Sequence, residues 1–143
     1  MESRYDVLKL ENQLCFPLYA CSREVIKRYK PYLDELELTY TQYVTMMVFW
    51  EQKEISVKDL GKKLHLDSGT LTPVLKSLEK KYYITRNRSS EDERVLLCRI
   101  TDEGFKLREK AADVPGKLMS CVRLDNDDAM ELYRILNKLL NNF

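Results

Sequence analysis

The chain has 143 residues, 44% of them hydrophobic and 33% charged, with a mean hydropathy of -0.45. These values exclude disordered, collagen-like and membrane classes and predict one soluble domain, residues 1–143. A folded chain of this size buries roughly 68% of the surface that its unfolded form exposes, so a core forms without disulfides or metals. Net charge is +1, but Lys53 to Arg88 holds nine basic residues against four acidic ones, leaving the remainder at -4. That asymmetry reads either as an electrostatic footprint for nucleic acid or as solvated helix faces.

The longest uncharged run, Leu38 to Trp50, is 13 residues long, short of the roughly 20 that a membrane helix needs. Met1-Glu2-Ser3-Arg4 leads into no apolar signal core, so a cytoplasmic protein is expected. The four cysteines, at 15, 21, 98 and 121, contain no Cys-x-x-Cys pair and are accompanied by a single histidine, His65. Reduced thiols are therefore expected, with neither structural zinc nor another cofactor.

In chain order, an opening helix is predicted from about Leu14 to Tyr29, with Pro17 in its first turn and Pro31 starting a short second piece through Leu36. A helix over Thr41 to Glu51 follows, with Val44, Met47 and Val48 as its inner stripe. Ser56-Val57-Lys58-Asp59 is a capping-box pattern that opens a helix striped by Val57, Leu60 and Leu64. After the turn His65-Leu66-Asp67, a second short helix carries Leu71, Val74, Leu75 and Leu78. The period then changes: Tyr83 to Arg86 and Val95 to Ile100 are β-prone runs joined by polar residues, which predicts a hairpin. Thr101 caps another helix, interrupted near Pro115-Gly116 and continuing past Cys121. The last helix runs from about Asp125. Its Ala129, Leu132, Tyr133, Leu136, Leu140 and Phe143 share one face that needs a partner surface.

Helix, turn, helix and hairpin in this order is a winged helix-turn-helix, mainly α with a small β wing. Ser68, Thr70 and Thr72 put small hydroxyls at the start of the second helix, where they approach phosphates and base edges or act merely as caps. Lys76 follows one turn later. Pro73 lies deep for a first turn, so the helix start is either opened or kinked there.

Asp92-Glu93-Arg94, followed by Leu96, Ile100-Thr101 and Gly104, resembles the wing signature of the MarR family of bacterial transcription regulators. Leu66 to Pro73, Glu91 to Arg94 and Glu11 to Phe16 resemble the OhrR branch, which senses organic hydroperoxides. The resemblance implies a repressor acting as an intertwined homodimer on double-stranded operator DNA. Residues 10–40 and 105–143 would dimerise, 41–104 would form the DNA-binding part, and Asp67 to Lys81 would be the recognition helix. It puts Arg94 in the minor groove braced by Asp92, Pro73 at the DNA face, and Arg86 and Arg88 on the phosphate backbone.

The same resemblance makes Cys15 the redox sensor. At the start of a helix the positive dipole end favours a thiolate, the form that attacks a peroxide, although helix position alone would leave an apolar filler. Tyr29 and Tyr40 of the other protomer would complete the site, with Tyr19 one turn away on the same helix. Cys21 lies six residues on, about 240° around the helix, and cannot bond Cys15. Cys98 reads as core. Cys121 falls where two-cysteine relatives hold a resolving thiol; single-cysteine relatives use a low-molecular-weight thiol instead. Two other readings stay open: a regulator sensing an aromatic ligand through its tyrosines or acting as a broader thiol-based regulator, and a small thiol peroxidase, for which no further enzyme motif speaks.

Overall fold

The computed structural model describes residues 3–143; Met1 and Glu2, the first two of the four residues read above for a signal core, lie outside the described residues. Two single 3-10 turns, Asp6–Leu8 and Leu10–Asn12, lead into helix α1, Cys15–Asp34. Helix α2 spans Tyr40–Gln52, strand β1 Glu54–Ser56, helix α3 Val57–Leu64 and helix α4 Ser68–Lys80. Strands β2, Ile84–Arg88, and β3, Leu96–Ile100, form the hairpin, and helices α5, Asp102–Ala111, α6, Val114–Met119, and α7, Asn126–Leu140, complete the chain.

Each winged-half helix starts on a side-chain cap. Thr39 and Gln42 form a reciprocal capping box on α2, Ser56 Oγ accepts from the Asp59 amide at 3.1 Å, and Thr101 Oγ1 accepts from the Gly104 amide at 3.0 Å. These bonds satisfy amides that a helix start otherwise leaves unpaired. Helix ends use a left-handed residue that is not glycine: Glu37, His65 and Tyr82 all have positive φ. In each case the next amide reaches back five residues, as Tyr83 N does to the Leu78 carbonyl at 3.0 Å, a closing turn usually given to glycine.

The three strands form one antiparallel sheet in the order β1-β3-β2, with Ile55 opposite Cys98 and Arg86 opposite Cys98 on the other side. Helix α2 runs through the middle of the core: Met46 and Phe49 are fully buried, joined by Leu60 of α3, Leu71, Leu75 and Leu78 of α4, Ile84 and Cys98. Burying such a side chain contributes roughly 1.5–3 kcal/mol. Gly104 is required by packing, because a Cβ there would run into the Tyr83 carbonyl; its own carbonyl accepts from Trp50 Nε1 at 2.8 Å.

Several expectations change. Helix α1 is continuous through Pro31: the proline removes one late amide, and Leu33, buried in the core two residues on, holds the last turn in place. On α2 Val48 is buried as expected and Val44 partly so, but Met47 is exposed and the fully inward residues are Tyr43, Met46 and Phe49. That helix is apolar nearly all round, so spacing alone could not choose its face. Strand β1 was not expected; it is three residues long and includes a charged Glu54, whose carboxylate takes Arg99 Nε at 2.7 Å. Tyr83 precedes β2 instead of opening it, α4 is unbroken at Pro73, and α6 stops at Met119, before Cys121.

Candidate functional site

Two groups of predicted residues fall in different parts of the fold. The first surrounds an open groove of about 1400 Å³ between α3, α4 and the hairpin, lined among others by Lys58, Lys62, His65, Ser68, Asp92 and Arg94. Asp67 caps α4, its Oδ1 accepting from the Thr70 amide at 2.7 Å, and this bond holds the Asp67 carboxyl below the usual carboxylate range. With Leu71, Leu75 and Leu78 turned inward, Thr70, Pro73 and Lys76 are left outward and exposed. The Thr72 hydroxyl donates to the Ser68 carbonyl at 2.7 Å, so its proton is used within the helix and only its oxygen remains to accept.

At the hairpin tip, the Arg94 side chain is 91% exposed yet fixed. Asp92 accepts from the Arg94 backbone amide and from Nε at 3.0 Å each, and from a terminal guanidinium nitrogen at 3.1 Å. The guanidinium holds the Asp92 carboxyl down in turn. A charged fork presented with its rotamer already set is suited to a narrow, electronegative groove. Arg88, the last residue of β2, is exposed and carries no ion pair among the described residues.

Arg86 differs. Its Nε donates to Glu79 Oε2 at 3.2 Å and a terminal nitrogen to Oε1 at 3.1 Å, and its side chain is only 18% exposed. Without DNA, the residue expected at the phosphate backbone is held in an internal ion pair between α4 and β2. The signal was present in the sequence: strand parity puts Arg86 on the same face as the buried Ile84.

The second group surrounds α1. Cys15 is its first residue, exposed, with no side-chain cap at Leu14. Tyr19, also exposed, lies 5.4 Å beneath the Arg23 guanidinium. Tyr29 and Tyr40 are brought together, with ring centroids 4.9 Å apart, and both pack on Tyr43. Burial pushes the Tyr29 hydroxyl up to about 12, so it stays a neutral donor. Fourteen helical residues separate Tyr29 from Cys15, about 21 Å along the axis, so one protomer does not unite the thiol with this pair. The other cysteines divide clearly. Cys21 is exposed on α1, whereas Cys98 is core, its thiol pushed by burial up to about 11. Cys121 lies in the turn after α6, its Sγ 3.5 Å from Tyr32 Oη, a pairing that raises the phenol and that sequence spacing did not reveal.

Around this second group the surface is apolar and uncovered. No residue of α7 is buried, and Val7, Leu8, Leu14, Phe16, Tyr133 and Phe143 are exposed. No helix among the described residues is long and apolar enough to cross a membrane, and no cluster of metal-ligating side chains occurs among them.

Residues 27–111 match the family described as transcriptional regulator SarA/Rot. The chain is 49% identical over 140 residues to the organic hydroperoxide resistance transcriptional regulator of Bacillus subtilis, covering 98% of this chain and 95% of that one. It is 40% identical over 132 residues to the HTH-type transcriptional regulator SarZ of Staphylococcus saprophyticus, covering 92% and 90%. Among solved structures, reduced AbfR bound to DNA matches with a TM-score of 0.78 and 32% identity over 98% of both chains; AbfR is a Staphylococcus epidermidis protein. Its disulfide form matches less well, with a TM-score of 0.66 and 33% identity over 96% of both chains.

Proposed function

Because this chain belongs to the SarA/Rot-type, MarR-like winged-helix transcription regulators, and to the branch of the organic hydroperoxide resistance regulator, we propose that it is a redox-sensing repressor. As a homodimer it binds a pseudo-palindromic operator when reduced and releases it when Cys15 is oxidised. Residues 10–40 and 105–143 form the dimer, and 41–104 read DNA. Its work is done in the cytoplasm, and it regulates without turning over a substrate.

On the operator, α4 enters the major groove with Ser68, Thr70, Thr72 and Pro73 at its leading end and Lys76 on the flanking phosphates, while Arg94 enters the neighbouring minor groove. Arg88 meets the backbone beside it. Two copies must meet two half-sites about one helical turn apart, so a small rotation between protomers removes much of the affinity.

Sensing follows from where Cys15 stands. Its thiolate attacks the outer oxygen of an organic hydroperoxide, the O–O bond breaks, and the products are a cysteine sulfenic acid and an alkoxide that takes a proton to leave as alcohol. The sulfenic acid then condenses with a second thiol, either a low-molecular-weight thiol or Cys121 of the opposite protomer, with loss of water. Tyr29 and Tyr40 of the other copy donate to the sulfur, with Tyr19 beside it, and the change in size and bonding at that sulfur shifts the dimer between two arrangements.

One observation carries this reading. Cys15 stands exposed on the uncovered apolar surface while its tyrosine donors lie about two-thirds of a helix away on the same chain, an arrangement that only a second copy completes. The test is binding to the chain's own upstream DNA, with and without one equivalent of an organic hydroperoxide. Wild type is expected to lose binding while Cys15→Ser keeps it. A Cys15→Ser protein that still releases DNA would remove Cys15 from the sensor role.

A further inference from the structure

Strand β2 carries an arginine on the wrong face for a solvent-facing wing. Ile84 is buried, Thr85 exposed and Arg86 half-buried, and Arg86 stands directly opposite the fully buried Cys98 of β3. Residues opposite one another in an antiparallel pair share a face, so the Arg86 stem lies over the core and its guanidinium cannot turn outward without lifting off Cys98. Its charge is met by Glu79, which presents both carboxylate oxygens from the last turn of α4, at 3.2 and 3.1 Å. The arginine holds that carboxyl below its ordinary range. Two planar groups joined by two parallel bonds resist both sliding and twisting, which a single lysine contact would not.

We propose that Glu79 and Arg86 are a positioning pair for DNA binding: their clasp fixes the angle between α4 and the β2–β3 hairpin, and so the distance from the major-groove helix to Arg94. This rests on the winged-helix reading above and adds to it residues that touch no DNA. The hairpin is a lever. Its tip stands about four or five residues beyond Arg86, roughly 15 Å, so a swing of about 10° at the clasp displaces Arg94 by about 2.5 Å, most of a base step. Besides the clasp, α4 and β2 meet at a short turn whose Tyr82 has φ 64° and through Ile84, buried in one core with Leu75 and Leu78, while β1 pairs with β3 only over Leu97 to Arg99; the clasp is the polar tie among these contacts.

The reduced full-length protein, the duplex of its own upstream region and four variants decide the matter. Glu79→Gln keeps shape but loses the charge-assisted fork, and the dissociation constant is expected to rise about tenfold, the size of one such contact. The slope of affinity against salt should stay that of wild type, and the amides of 84–88 and 96–100 should exchange faster in the DNA-free protein. Arg86→Lys is expected to fail likewise, while the exchanged pair, Glu79→Arg with Arg86→Glu, regains most of the affinity. Glu79→Gln binding as tightly as wild type or tighter, together with Arg86→Gln lowering the salt slope by about one, would make Arg86 a phosphate contact and overturn the proposal. Unchanged hairpin exchange in Glu79→Gln would overturn it too. A wild type that binds no DNA defeats the winged-helix reading instead, and the exchange measurement still decides the clasp.

Discussion

The stretch from α2 to β3 and the two ends of the chain are built to different standards of closure. Between them, α2, α3, α4 and the hairpin bury Met46, Phe49, Leu60, Leu71, Leu78 and Cys98 completely, and they satisfy their helix starts with their own side chains. The α7 helix buries nothing, and α1 leaves Cys15, Phe16, Leu18 and Tyr19 exposed. In the function proposed above, the DNA-reading half is complete in one protomer and the sensing half is not: its missing surface would be the second copy, which would tie the chemistry at Cys15 to the spacing of the two recognition helices.

Putting charge on the uncovered face should break this contrast most severely. Leu132→Asp with Leu136→Asp is expected to give a folded monomer whose operator affinity falls by more than about 100-fold, since two half-sites no longer bind as one unit. Sedimentation and circular dichroism, read beside the binding curve, check it; a variant that stays dimeric would relocate the interface. A smaller effect is expected within the complete half. Arg94→Ala removes one preset groove contact and should weaken binding by about tenfold, with unchanged thermal stability and a loss of preference at the flanking base pairs.

The smallest is a pH effect on stability. Asp67 has its folded value depressed by the Thr70 amide, so its cap contributes above the unfolded value, about pH 4, and is lost as pH falls through the depressed folded value. Asp67→Asn keeps an acceptor without the titration. Its thermal midpoint should therefore fall less than that of wild type between about pH 5 and pH 2, so that the advantage of wild type is largest at neutral pH and vanishes in acid.

The winged half was legible because its signals are local. Ser56 and Thr101 announce helix starts, Leu71, Leu75 and Leu78 keep one face, and the shift to alternating residues after Tyr83 marks the hairpin. What stayed hidden was decided by contacts between elements. Glu37, His65 and Tyr82 end helices in a conformation normally signalled by glycine, and Leu33 holds α1 together beyond Pro31. For α2, an apolar circumference erased the face on which Tyr43 and Phe49 turn inward. Gln42 shows the same limit: its side chain donates to Ser77 Oγ at 2.8 Å and accepts from Lys81 Nζ at 3.3 Å, a buried junction of α2 with α4 that no spacing within either helix predicts. Arg86 is a different case: it is expected as a phosphate contact, although the alternation of β2 already carries the signal that it shares a face with Ile84, and its partner Glu79 lies on another element. The proposed sensor site was legible as residue types alone, because Cys15 and the Tyr29–Tyr40 pair lie apart in one chain.

The central claim is that each Cys15 is served by the tyrosines of the other copy, and a mixed dimer tests it directly. One protomer carries Cys15→Ser; the other keeps Cys15 but carries Tyr29→Phe and Tyr40→Phe. The measurement is the rate at which the remaining thiol forms a trappable sulfenic acid with an organic hydroperoxide. The account predicts the wild-type rate, because the intact tyrosines of the first protomer face that thiol. The slower rate of a homodimer lacking both tyrosine hydroxyls would contradict it, and would place sensor and donors within a single chain.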